Sequence, residues 1–118
     1  MKYLCGALAL VILCFGCKKG VQTDASRPLQ QSFEKAEPEV KQAIDSVSNN
    51  LKTGNYVEAT KALAPVVNRP LTEPQKQAVG LALQQINQAI TINPNLDTRE
   101  MYELRARLYQ AVDGGKRF

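Results

Sequence analysis

From Val40 to Val112 the apolar residues return every three or four positions, a spacing that suits one face of a helix and suits a strand poorly. Val40, Ala43, Ile44, Val47 and Leu51 make a first stripe, and Tyr56, Ala59, Leu63 and Val66/Val67 a second. Val79, Ala82, Leu83, Ile86, Ala89 and Ile90 make a third, and Met101, Leu104, Leu108 and Val112 a fourth. The β-branched pairs Val66-Val67 and Thr91-Ile92 fall inside these helical patterns, so no strand is expected.

Punctuation residues divide the pattern into four helices. Pro38 suits a first turn, with Glu37 and Glu39 at the positive end of the dipole, and Gly54 supplies a stop. Asn55 with Glu58, Thr72 with Gln75 and Asp97 with Glu100 have the spacing of capping boxes. Pro65 ends or kinks the second helix, Pro94 stops the third, and Gly114-Gly115 ends the fourth. Ala78, Leu81 and Ile92 widen the apolar arc of the third helix to roughly 200°, so it is expected to sit centrally against two neighbours. The short links favour antiparallel neighbours. The expected fold is all-α: a small four-helix domain of two stacked antiparallel hairpins over residues 37–113, followed by a basic tail at 114–118.

Ahead of the domain, Met1-Lys2-Tyr3 is a basic start and residues 4–15 carry no charge. An apolar run of that length spans about 18 Å as a helix, whereas a bilayer core asks for about 20 apolar residues. The layout is that of a secretory signal, basic, then apolar, then small before a cut. Its end, Cys14-Phe15-Gly16-Cys17, resembles the lipobox of bacterial lipoproteins, with Gly16 in the small position before the cut and Cys14 where Leu is usual. The resemblance implies a signal peptide at 1–16, diacylglyceryl transfer to the Cys17 thiol, cleavage before Cys17 and acylation of the new amine. Lys18 rather than Asp follows, which by the same resemblance favours the outer membrane, facing the periplasm, over the inner membrane. The alternative is a plain signal with incidental cysteines. Cys5 and Cys14 leave with the signal, so the mature chain has no partner with which Cys17 can form a disulfide. Residues 17–36, polar and broken by Gly20 and Pro28, are expected to be the lipidated cysteine and a flexible tether with a reach of roughly 25 Å. Leu29 and Phe33 are apolar points at which that tether either starts a short helix or docks back on the domain.

Gly54-Asn55-Tyr56-Val57-Glu58-Ala59, with Leu63 four further on, resembles the inter-helix turn and second helix of a tetratricopeptide repeat. That resemblance implies a helical hairpin used for protein binding; the first-helix positions and the second hairpin depart from the family pattern.

The chain has no His and no Trp, so the usual general base and nucleophile activator are missing. No glycine-rich phosphate loop and no Cys/His metal spacing occurs. Glu37, Glu39, Glu100 and Glu103 fall in first turns and on polar faces, where capping and solvation account for them. No catalysis, cofactor, metal or small-molecule substrate is expected. The net charge of +4 falls to +3 once Lys2 is removed, too little and too scattered for nucleic acid.

The function expected is that of a membrane-anchored envelope lipoprotein acting as a helical protein-interaction module. Its partners are membrane lipid through acylated Cys17, and a protein. The candidate docking strip on the third helix is Leu81 and Ile92 beside Gln77, Gln84 and Gln88, provided no other element covers it. The alternative is a structural lipoprotein whose basic tail contacts cell-wall polymer or anionic lipid.

Overall fold

The computed structural model describes residues 21–113. The signal peptide, Cys17 and the tail at 114–118 therefore lie outside the described residues. Among those described the chain is all-helical, with no strand: α1 (Ser26–Ser32), α2 (Pro38–Thr53), α3 (Tyr56–Leu63), α4 (Glu73–Ile92) and α5 (Arg99–Asp113). Two 3-10 turns, Val66–Asn68 and Pro94–Leu96, follow the proline stops.

The elements end where the backbone chemistry requires it. Gly54 takes φ 82°, the left-handed region open to glycine, and the amides of Gly54 and Asn55 turn back on the carbonyls of Leu51 and Asn50. Pro65 has no amide to continue α3, so the chain tightens into a 3-10 turn that buries Val66 and Val67. At the start of α4 the expected box is complete: the Gln75 amide donates to Thr72 Oγ1 at 3.3 Å and the Thr72 amide to Gln75 Oε1 at 3.0 Å. The other two boxes do not form. Asn55 makes no side-chain cap, and Glu58 instead lies 3.8 Å from Lys61. In α5 the cap is Thr98, whose hydroxyl accepts the Met101 amide at 3.2 Å; Asp97 is turned away to Arg105 at 2.8 Å.

α4 is central, as expected, packed against α1 on one side and α5 on another, with its buried stripe Ala78, Val79, Ala82, Leu83, Ile86 and Ala89 in the core. The largest difference from the sequence expectation lies before residue 37. Residues 22–33 are not tether but part of the fold, and the described residues hold five α-helices rather than four. Ala25, Leu29 and Phe33, spaced by four, form the apolar stripe of α1, and all three are buried against α2 and α4. Asp24 starts this helix: its Oδ1 accepts the Ser26 amide at 3.0 Å and the Ser26 hydroxyl at 2.7 Å. Pro28 is tolerated because it falls in the first turn, where its missing amide leaves no helical bond unmade.

Candidate functional site

Beyond its first turn, where Glu73 and Lys76 pair at 3.6 Å, the outward surface of α4 carries no ion. From Gln77 to Leu96 the sequence contains no Asp, Glu, Lys or Arg, so anything bound there meets amides, hydroxyls and hydrocarbon. Part of that surface is occupied by the chain itself. Gln88 Oε1 accepts the amides of Gln22 at 3.1 Å and Thr23 at 3.0 Å, and Gln88 Nε2 donates to Thr23 Oγ1 at 2.9 Å. One turn earlier, Gln85 Oε1 accepts the Ala25 amide at 2.9 Å, and Gln85 is 4% exposed. At the other end of α1, Gln75 Nε2 donates to the Ser32 carbonyl at 3.2 Å. Three glutamines of α4 thus fasten residues 22–32 along the helix as a strap.

The strap alters the candidate strip. Leu81 is 36% exposed and Ile92 is 54% exposed, both uncovered, and Gln77 and Gln84 are also exposed. Gln88 is only half-buried but is committed to the strap, which lies over the turn between Leu81 and Ile92. Gln85 was not among the residues singled out from sequence. The available signal was its place in the stripe of Ala78, Ala82 and Ala89, where a polar residue among small buried ones needs a partner.

Between α4 and α5 runs a groove of about 430 Å³. Leu83, Val112 and Tyr109 provide its apolar lining, Gln84 and Thr91 its polar edge, and Asp113 is the one ionisable carboxylate on its wall. At Gly80 the helices face each other at a distance that a side chain could also fill: a Cβ there would sit in ordinary contact, 3.9 Å from Val112 Cγ1. A polar chain braces the same interface. Arg105, whose side chain is 16% exposed, donates to Asp97 Oδ1 at 2.8 Å and Asn87 Oδ1 at 2.9 Å, and Asn87 Nδ2 donates to Tyr109 Oη at 2.8 Å. Periodicity alone did not point to this chain, because its members lie on two helices and a link.

The carboxylates considered for acid–base chemistry are dispersed in salt bridges. Glu37 meets Arg69 at 2.8 Å, Glu100 lies 3.9 Å from Lys61 and Glu103 3.6 Å from Arg99, all with exposed side chains. Glu100 and Glu103 keep 61% and 64% of their side-chain surface exposed. Asp24 is held below its ordinary value of 3.8, first by the Ser26 hydroxyl and then by the Ser26 amide, with Lys52 and Arg27 adding to the effect. The carboxylate thus fixes the turn that leads into α1, one residue ahead of the N-cap Ala25. Among the described residues no group of His, Cys, Asp or Glu has the arrangement to hold a metal ion, and no helix is long and apolar enough to cross a membrane.

No family model, no curated protein and no solved structure matches the chain.

Proposed function

We propose that the chain is a lipid-anchored lipoprotein of a bacterial envelope whose helical domain is a non-catalytic docking module. The observation that carries the docking part is the groove between α4 and α5, with Leu83, Tyr109 and Val112 in its lining, Gln84 at its edge and Asp113 as the one carboxylate on its wall. Leu81 and Gln77 extend it along the exposed side of α4. Such a surface suits a protein segment that brings apolar side chains and neutral hydrogen-bonding groups, because most of its lining is hydrocarbon, amide and hydroxyl. The anchoring part is supported by the apolar run that ends in Cys14-Phe15-Gly16-Cys17. The α2–α3 hairpin supports a tetratricopeptide-like reading of the fold: the turn at Gly54 has the left-handed glycine, and Ala59 and Leu63 are fully buried.

Two measurements test this. The intact mass of the native protein from membrane extract should equal the chain beginning at Cys17 plus its acyl groups, and Cys17→Ser should leave the protein unacylated. A photo-crosslinker placed at Gln84 in the native host should trap a partner. Trapping that survives removal of residues 114–118 and is lost on Leu81→Asp supports the docking groove. The reverse pattern favours contact of the basic tail with cell-wall polymer or anionic lipid.

A further inference from the structure

We infer that the end of the bundle marked by Ile92 and Tyr102 rests in the headgroup layer of the bilayer to which Cys17 is attached; this builds on the anchoring reading above and adds an orientation to it. The strap is what sets the geometry. Because the Gln22 and Thr23 amides are bound by Gln88, only the residues from Lys18 to Val21 separate Cys17 from fixed backbone. Five Cα steps reach at most about 17 Å even when fully extended. A freely jointed tether to residue 36 would leave the domain's orientation open; this one selects an end.

The hydrogen bonds identify that end. Ala25 is tied to Gln85 and Gln22 to Gln88, so the chain enters the fold near the carboxyl terminus of α4. The Ser48 hydroxyl donates to the Ser26 carbonyl at 3.2 Å, which brings the last turns of α2 to the same end. The link Pro94–Leu96 closes it, and α5 starts there. Ile92 lies about 6 Å beyond Gln88 along the α4 axis, and the Gln75 end of that helix lies roughly 20 Å the other way.

The surface chemistry at this end fits a headgroup layer. The four large hydrophobic residues exposed among the described ones are Leu81, Ile92, Tyr102 and Tyr109, and the two most exposed, Ile92 at 54% and Tyr102 at 64%, both lie here. An aliphatic residue and a tyrosine, apolar in body and polar at the tip, are what the boundary between headgroups and acyl chains accommodates. The acids nearby have partners within the fold: Asp24 with Ser26, Asp97 with Arg105, Glu103 with Arg99, and Glu58 and Glu100 sharing Lys61. Lys18 and Lys19 stand in sequence between the anchor and the strap, so cationic side chains accompany the contact. The groove runs from Thr91, beside this end, to Gly80 and Val112, and its far part is set back from the headgroups and stays open to a protein.

Because the chain has no Trp, single tryptophans report without background. Ile92→Trp, Tyr102→Trp and, at the opposite end, Lys35→Trp would each be prepared as full acylated protein. Each would be placed in phosphatidylethanolamine–phosphatidylglycerol vesicles containing a phosphatidylcholine brominated on its acyl chains. Melting temperatures close to that of the unsubstituted protein would show that each variant is folded. Quenching at least twofold stronger at positions 92 and 102 than at 35 is the expected result. Equal quenching at all three, or stronger quenching at 35, in protein whose mass shows the acyl groups overturns the orientation and leaves the anchoring intact. Protein from the native membrane whose mass shows no acyl group overturns the anchoring, and the orientation falls with it.

Discussion

Gln85 Oε1 accepts the amide of Ala25 at 2.9 Å, a bond between residues sixty positions apart and shielded from water. Its removal should be felt as an unsatisfied buried donor. Gln85→Leu is expected to cost about 1–3 kcal/mol of folding stability, the penalty for stranding a buried N–H. Urea unfolding measures the loss, and amide exchange at Ala25 should accelerate in parallel. Unchanged stability together with unchanged exchange would mean the strap is held by other contacts.

Leu29 separates a folded strap from a tether that merely touches the domain. It is fully buried, whereas Arg27 two residues earlier is exposed. Leu29→Ala should cost about 2–5 kcal/mol, the range for truncating a core leucine. Arg27→Ala should stay within roughly 0.5 kcal/mol, as exposed positions do. Similar small losses for both, read from chemical denaturation, would contradict the packed α1.

How far the sequence carries can be judged on the same residues. The helices from Pro38 onward were legible because their stripes and their Pro and Gly stops are local, and so was the central place of α4. Helix α1 was half legible: Ala25, Leu29 and Phe33 have the right spacing, yet a helix of seven residues has too little pattern to stand out from a polar stretch. Of the strap, only the place of Gln85 in a small-residue stripe was legible; its partners were not. The strap's bonds run from backbone amides to glutamines some sixty residues on, and glutamine on a helix looks the same whether it faces water or a neighbouring amide. For that reason Gln88 stood in the expected docking strip, and Gln85, which is buried, did not.

Thr98 and Asp97 are adjacent but have different tasks, which a double-mutant cycle can separate. Thr98 caps α5 through the Met101 amide, and Asp97 holds the guanidinium of Arg105. Thr98→Ala should cost about 1 kcal/mol, a typical value for a lost N-cap. That loss should persist in an Arg105→Gln background. The loss from Asp97→Ala should largely vanish there, since its partner is already gone. If both losses depend equally on Arg105, Asp97 and Thr98 act as one cap and the assignment above is wrong.

The acid limb of stability should carry the mark of Asp24. Its carboxyl is held below 3.8 by the hydroxyl and then the amide of Ser26, so the folded chain binds this proton less readily than the unfolded one. The sign follows from linkage: the contribution is fully present above about pH 4 and is lost as the pH falls through the lowered value. Thermal melting between pH 6 and pH 2 should therefore show a steeper acid loss in the native sequence than in Asp24→Asn. Ser26→Ala removes the hydroxyl, the larger of the two causes, and should move the midpoint of that loss upward toward the ordinary carboxylate value. Added salt, which screens the smaller pull of Lys52 and Arg27, should shift it much less. Identical acid limbs in the native chain and Asp24→Asn would show that this turn contributes nothing to the strap's hold on the domain.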